Sequence, residues 1–185
     1  HRDLHSFPTR RSSDLYQLLR QLKNGWDKDN IFNPNKIVET PRMNTMLRYQ
    51  AGQEMRAIET VFDFSKDQGI LRAAEKCNGT AACRKTEVIG GTMCPSYMAT
   101  RDERNTTRAR ANILREFLTN SNHSNPFNHK EIYDVMDLCL SCKACKSECP
   151  SSVDVAKLKA EFLQHYYDDN GAPLRSKLKI GRAHV

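Results

Sequence analysis

The sequence predicts a mainly α-helical protein whose cysteines are gathered in two groups. In the longer segments apolar residues recur every three or four positions, as at Val155, Leu158 and Phe162, which is the spacing of one helix face. Short helical segments also lead into each group of cysteines, at 68–77 and 131–138. Hydrophobic residues make up 38% of the chain and charged residues 28%, so apolar burial alone would fill only a modest core. We therefore expect the cysteines to contribute to holding the helices together.

The downstream group has cysteines separated by two, two and three residues, and a proline follows it. Its members are Cys139, Cys142, Cys145 and Cys149, followed by Pro150. The pattern C-x2-C-x2-C-x3-C-P is typical of bacterial ferredoxins, and in two-cluster proteins its fourth cysteine binds the other cluster. The pattern predicts a helical, two-cluster ferredoxin-like domain with further ligands upstream.

The upstream group begins with the same spacing but lacks one cysteine. Cys77 and Cys83 stand at the first and third positions, and Thr80 occupies the second. Cys94 precedes a proline after a longer loop. If the fourth ligands cross between the groups, one cluster is bound by Cys139, Cys142, Cys145 and Cys94, and the other by Cys77, Cys83 and Cys149. The first set is complete, whereas the second is one ligand short.

The incomplete set leaves two alternatives for its cluster. Three cysteines can hold a [3Fe–4S] cluster, or a [4Fe–4S] cluster whose fourth iron takes water, the Thr80 oxygen or a ligand from elsewhere. We favour a [4Fe–4S] cluster with a non-cysteine ligand, which makes two [4Fe–4S] clusters in all. Gly79, Gly90 and Gly91 would let backbone amides approach the sulfurs.

A helix rich in arginine is predicted between the two groups. Thr106 or Thr107 can cap it. Its apolar stripe consists of Ile113, Leu114, Phe117 and Leu118. Arg101, Arg108 and Arg110 have two interpretations: they form a solvated face, or they compensate the negative charge of thiolate-bound clusters.

A last helix is predicted over 153–169. Ser151 and Ser152 can cap its start, and Gly171 and Pro173 end it. We expect this helix to cover the clusters and keep water from them, which influences their reduction potentials. Upstream of the cysteines, the alternation over 60–64 allows a short strand.

Composition and cysteine number argue against several classes of protein. The seven cysteines are an odd number and no signal peptide precedes them, so we expect a reducing compartment with metal rather than disulfide cross-links. No apolar run is long enough to span a bilayer. We therefore predict a cytoplasmic protein that contacts the inner face of the membrane at most peripherally. The basic residues are dispersed, which argues against a nucleic-acid partner.

The two ends of the chain resemble translated sequencing adaptors. They read HRDLHSFPTRRSSDL at 1–15 and IGRAHV at 180–185. Without their four arginines and two aspartates the formal net charge falls from +7 to +5. The resemblance implies that the remaining chain is an internal piece of a longer protein.

Residues 23–36 read KNGWDKDNIFNPNK. They resemble the closing segment of flavoprotein oxidases of the vanillyl-alcohol oxidase and D-lactate dehydrogenase type, K-x-x-[FW]-D-P-x-x-[IL]-[FL]-N-P-G-K. Lys28 replaces a proline of that motif, and Asn35 replaces a glycine, although asparagine tolerates a positive φ. The resemblance implies that Asn33 and Lys36 line the flavin site; the alternative is an ordinary solvent-exposed turn.

Four further motifs follow along the chain. They read CNGTAACR, GTMCPSYMATRDE, TRARA and CLSCKACKSECP. With the closing segment they resemble fused flavin and iron–sulfur enzymes of the glycolate oxidase, D-lactate dehydrogenase and D-2-hydroxyglutarate dehydrogenase type. The resemblance implies that FAD, bound by a domain outside this chain, takes a hydride from a 2-hydroxy acid. Electrons would then pass through the clusters to a quinone or another carrier.

This resemblance divides the chain into segments. Residues 16–40 would be the C-terminal tail of an FAD-linked oxidase domain, 41–67 a connector, and 68–179 the helical iron–sulfur domain. We expect no catalytic residue in this chain, so that the fragment alone would not be catalytic.

Two alternatives are weighed against this interpretation. The first is an iron–sulfur relay subunit of another respiratory-type complex, which the flavin-oxidase tail disfavours. The second is a structural zinc module, which also uses cysteine pairs. The tight cysteine triplet and the two Cys-Pro endings disfavour zinc.

Overall fold

Helices account for the regular structure of the residues that this computed structural model describes, which are 14–49, 52–174, 176 and 177. No strand forms among them, so the predicted mainly α class is confirmed. The α-helices are α1 (Asp14–Trp26), α2 (Ile70–Glu75), α3 (Pro95–Thr100), α4 (Thr107–Asn120), α5 (Lys130–Asp137), α6 (Ala144–Glu148) and α7 (Val155–Asn170). Short 3-10 helices span Ser65–Asp67, Ala82–Arg84, Glu87–Ile89 and Glu103–Asn105. None of these helices combines the length and the apolar character needed to cross a membrane.

The first of two compact units lies within residues 1–53 and contains α1. Of the adaptor-like ends, only Asp14 and Leu15 are described, and they begin α1; residues 1–13 and 180–185 lie outside the described residues. The exposed apolar side chains of α1 recur at helical spacing and are Leu15, Leu18, Leu22 and Trp26. This unit therefore presents an apolar helix face.

The second unit lies within residues 54–185 and contains α2 to α7. Its core forms where α2, α5 and α7 pack around α4. The most deeply buried apolar side chains are Ile70, Met93, Leu114, Leu118, Phe127, Ile132, Met136, Val153, Leu158 and Phe162. Cys83, Cys94 and Cys145 are buried in the same cluster, so these three cysteines are part of the core.

Side-chain caps fix where the two longest helices of this unit begin. The Thr106 hydroxyl accepts a hydrogen bond from the Ala109 N–H at 3.0 Å and caps α4, as predicted. The prediction for α7 was wrong: Asp154 caps it rather than Ser151 or Ser152. The Asp154 carboxylate accepts from the Lys157 N–H at 3.0 Å, because it stands directly before the free amides of the first turn.

Residues 60–64 form no strand, although their alternation allowed one. The backbone N–H groups of Val61 and Phe62 donate to the carboxylate of Glu161 on α7, at 2.7 and 2.8 Å. The carboxylate takes the place of the neighbouring strand that a β ladder would need. The segment is thereby held against α7 in an irregular conformation.

Candidate metal centre

Four cysteines from two distant stretches of the sequence line one cavity. They are Cys94, Cys139, Cys142 and Cys145. The lining of this cavity also includes Arg110 and the start of α7. The structure thus brings together the complete ligand set that the cysteine spacing predicted, although the binding of a cluster by these residues stays a prediction.

Each thiol of this set is positioned by a helix end or by a tight turn. Cys94 stands at the N-cap of α3, directly before Pro95. Cys139 follows the end of α5, and Cys145 lies within α6. Cys142 is exposed, whereas Cys94 and Cys145 are buried. The cavity is therefore walled by protein on one side and reaches the surface at Cys142.

The two cysteine groups share a backbone pattern that links Thr80 to Cys142. Ser141 has φ 53° and Lys143 has φ 62°, so both residues that flank Cys142 are left-handed. At the corresponding upstream positions Gly79 has φ 79° and Ala81 has φ 62°. Thr80 therefore occupies the same place in its loop as Cys142 does downstream.

The cysteine at the third position of each motif, Cys83 upstream and Cys145 downstream, receives hydrogen bonds from the start of a long helix. Backbone N–H groups of Val155 and Ala156, in the first turn of α7, donate to Cys145. The Arg108 backbone N–H, at the start of α4, donates to Cys83. Amides at a helix N-terminus stabilise negative charge, which a metal-bound thiolate carries. Both sites therefore provide the same local support for a thiolate.

Burial of these two cysteines destabilises the thiolate forms that the helix amides stabilise. Burial raises the pKa of the Cys83 thiol, and the nearby Cys77 raises it further by charge repulsion. Burial likewise raises the pKa of the Cys145 thiol, against the lowering effect of the Val155 and Ala156 amides. The thiolate forms of these two residues thus need a positive partner, and bound iron supplies one.

The three cysteines of the predicted incomplete set lie outside this cavity. Cys83 is buried, while Cys77 and Cys149 are half-buried against the same core. None of the three lines the cavity that holds the other four cysteines. Thr80 is exposed, and its hydroxyl and its N–H both donate to the Asn78 side chain.

The described residues do not form a site for a single metal ion. Within this part of the chain, no three His, Cys, Asp or Glu side chains come close enough to share one ion.

Arg110 supplies an independent test of whether an anionic cluster fits the cavity. Its side chain is 1% exposed, and its Nη1 lies 3.4 Å from the Cys94 sulfur. Its Nη2 is buried without a hydrogen-bond partner among the described residues. A buried unpaired donor on a cation is costly unless an acceptor is supplied. Thiolate and sulfide sulfurs are such acceptors, so the donor set and Arg110 both fit an iron–sulfur cluster.

Glu148 joins the long upstream loop to the downstream cysteines. Its carboxylate accepts from the N–H groups of Thr92 at 2.7 Å and Met93 at 3.2 Å. These amides and the nearby Lys85 hold the pKa of Glu148 below its usual value. Sequence reasoning assigned no role to Glu148; its position directly before the Cys149-Pro150 ending was the available signal.

The predicted flavin-site residues lie in the other compact unit. Asn33 and Lys36 are both exposed there. Asn33 has φ 49° and Asn35 has φ 58°, so asparagine does adopt the left-handed conformation at the position where the motif has glycine.

Sequence reasoning missed Asp27, which is 6% exposed and holds this turn. Its carboxylate pairs with Lys23 and accepts from the N–H groups of Ile31 and Phe32 at 2.8 and 2.9 Å. Lys23 holds the pKa of Asp27 below its usual value, and the two amides contribute. Lys23 and Asp27 are the lysine and the aspartate of the quoted motif, which was the signal for this contact.

Comparison with known families decides between the kinds of metal centre. Residues 76–154 match the family described as "4Fe-4S dicluster domain". This stretch of the chain is thus similar to a 4Fe-4S dicluster domain. The matched range of this dicluster domain includes all seven cysteines of the chain. The match supports iron–sulfur over zinc, confirms the prediction of two clusters, and favours [4Fe–4S] for the site that lacks a cysteine.

Curated relatives extend beyond the dicluster domain. D-2-hydroxyglutarate dehydrogenase of Pseudomonas putida is 28% identical over 89% of this chain, and that of Escherichia coli is 26% identical over 89%. The Haemophilus influenzae enzyme is 28% identical over 83%. The aligned regions cover 19%, 19% and 18% of these relatives, so the chain spans about a fifth of their length. No solved structure matches the chain.

These matches confirm the resemblance that the motifs indicated. The chain is homologous to D-2-hydroxyglutarate dehydrogenases, and its residues 76–154 match the dicluster family within the aligned region.

Proposed function

We propose that this chain is the electron-relay portion of a flavin and iron–sulfur dehydrogenase that oxidises a 2-hydroxy acid. The observation that carries the proposal is the cavity lined by Cys94, Cys139, Cys142 and Cys145 within a dicluster domain. When bound, a [4Fe–4S] cluster accepts and releases one electron at a time. The name shared by the relatives suggests D-2-hydroxyglutarate or a related 2-hydroxy acid as the substrate.

The chain's residues have separate roles in this proposal. The four cavity cysteines hold one cluster, and Cys77, Cys83 and Cys149 hold the other with a fourth ligand that is not a cysteine. Helices α4 and α7 donate amides to Cys83 and Cys145 and exclude water from the buried side. The exposed Cys142 marks the side from which electrons enter or leave.

The first compact unit belongs to the flavin-binding part in this proposal. FAD is bound outside the chain, and Asn33 and Lys36 line its site from the turn that Asp27 holds. The exposed apolar face of α1 is consistent with packing against further protein. The electron acceptor is a quinone or another carrier, and contact with a membrane is peripheral at most.

Substitution of one cavity cysteine tests the relay. In the full-length enzyme, Cys142→Ser should leave flavin reduction by the 2-hydroxy acid unchanged, because no residue of the substrate site is altered. It should slow reduction of an external carrier at least tenfold, because one cluster loses a thiolate ligand. Stopped-flow absorbance of the flavin and a steady-state carrier assay measure the two steps.

Ser147→Ala is the matched control, because Ser147 lies in the same cysteine group and its hydroxyl donates to the Ala144 carbonyl at 3.1 Å. It should leave both steps unchanged. Carrier reduction at the wild-type rate in Cys142→Ser protein would rule out this relay.

A further inference from the structure

We propose that Arg110 is a positioning residue whose buried charge raises the reduction potential of the cluster held by Cys94, Cys139, Cys142 and Cys145. The inference rests on the proposed function, because it requires these cysteines to hold a cluster. Arg110 projects from α4 and lines the same cavity as the four thiols.

The Arg110 guanidinium is anchored by backbone carbonyls. Its Nε donates to the Val135 carbonyl at 3.0 Å, and its Nη1 donates to the Asn105 carbonyl at 2.9 Å. Nη1 also donates to the Cys94 sulfur at 3.4 Å. These contacts hold the charge beside a predicted cluster ligand, and the side chain is only 1% exposed.

Three other arginines nearby are neutralised by carboxylates. Arg101 pairs with Glu87, Arg104 with Asp102, and Arg108 with Glu103. Their side chains are 42%, 78% and 30% exposed, respectively. Arg110 has no carboxylate partner within the described part of the chain, and its Nη2 has no hydrogen-bond partner there. Arg110 therefore differs from these three arginines both in its burial and in its lack of a carboxylate partner among the described residues.

A negatively charged cluster in the cavity would explain why Arg110 is buried without a carboxylate partner. A buried guanidinium without a counter-charge destabilises a fold, whereas a thiolate-bound cluster is negative and its sulfurs accept hydrogen bonds. Reduction adds a further negative charge to the cluster. A fixed positive charge and a donor at a ligand sulfur stabilise the reduced form more than the oxidised form, so they raise the potential.

A redox titration followed by electron paramagnetic resonance tests the inference on the complete chain reconstituted with iron and sulfide. Arg110→Gln should lower the midpoint potential of one cluster and leave the other unchanged. Arg110→Lys, which keeps the charge, should recover part of the shift. Arg104→Gln removes the same charge from an exposed site and should change neither potential. Unchanged potentials in Arg110→Gln protein, or an equal shift in Arg104→Gln protein, would overturn the inference.

A measurement on wild-type protein does not depend on whether the variants fold. With arginine labelled by ¹⁵N in the guanidinium, hyperfine spectroscopy of the reduced chain should detect nitrogen coupled to one cluster. Absence of that coupling while both clusters are present would overturn the role of Arg110 and leave the proposed function standing. Wild-type chain that assembles no clusters would overturn both.

Discussion

At the scale of single residues, Glu161 shows how one buried carboxylate fixes an irregular segment. It is 0% exposed, accepts the Val61 and Phe62 amides, and lies 2.8 Å from the Nε2 of His165. Nothing in the sequence around 60–64 identifies this acceptor, because it lies about a hundred residues downstream on α7. The contact explains why an alternating segment forms no strand.

Glu161→Ala should destabilise the second unit by about 2–4 kcal/mol, because it leaves two backbone N–H groups without their acceptor. Glu161→Gln, which keeps one carbonyl oxygen, should cost less. Urea unfolding followed by circular dichroism measures both. Glu116→Ala, at an exposed position of α4, is the control and should change the stability by less than about 0.5 kcal/mol. Equal stabilities of wild-type and Glu161→Ala protein would show that the segment is held by other contacts.

Among the elements, the long helices α4 and α7 were predicted from the apolar spacing, but the shortest helices and the loops were not. The stripe of Leu114 and Leu118 predicted α4, and Thr106 capped it as expected. The short helices α3 and α6 were not predicted, because they hold too few residues to show periodicity. The loop between Cys83 and Cys94 was also undefined by sequence, since its shape depends on the distant Glu148.

Gly91 tests the contact between this loop and Glu148. A Cβ at Gly91 would lie 2.6 Å from the Glu148 Oε2, and its φ of 86° already disfavours a side chain. Gly91→Ala should therefore displace Glu148 from the Thr92 and Met93 amides and destabilise the unit by more than about 1 kcal/mol.

Gly90→Ala is the matched control for Gly91→Ala. Gly90 has φ 79°, but apart from its two chain neighbours no atom of the described residues lies within 4 Å of the Cβ that it would gain. It reports the backbone strain alone, so the difference between the two thermal unfolding midpoints isolates the clash. Equal midpoints would show that Glu148 moves aside without cost.

At the scale of the whole molecule, cysteine spacing carried most of the information about the site. All ligands of one cluster must lie close together. If the fourth ligands cross between the groups, Cys94 binds the same cluster as Cys139, Cys142 and Cys145. In the fold these four cysteines line one cavity. Spacing could not distinguish Arg110 from Arg101 and Arg108, because only tertiary packing decides which arginine is buried without a carboxylate. Cysteine spacing also did not identify the fourth ligand of the cluster beside Thr80, because a ligand that is not a cysteine need not stand at a fixed position in the motif.

Serine substitutions, followed by electron paramagnetic resonance and iron analysis, test whether the fourth ligands cross between the two cysteine groups. In reconstituted protein, Cys94→Ser should alter the same cluster signal as Cys142→Ser. Cys149→Ser should alter the other signal, although Cys149 belongs to the same group as Cys142. Crossing of the ligands would be ruled out if Cys149→Ser and Cys142→Ser changed one and the same signal, or if wild-type protein held iron and sulfide for only one cluster.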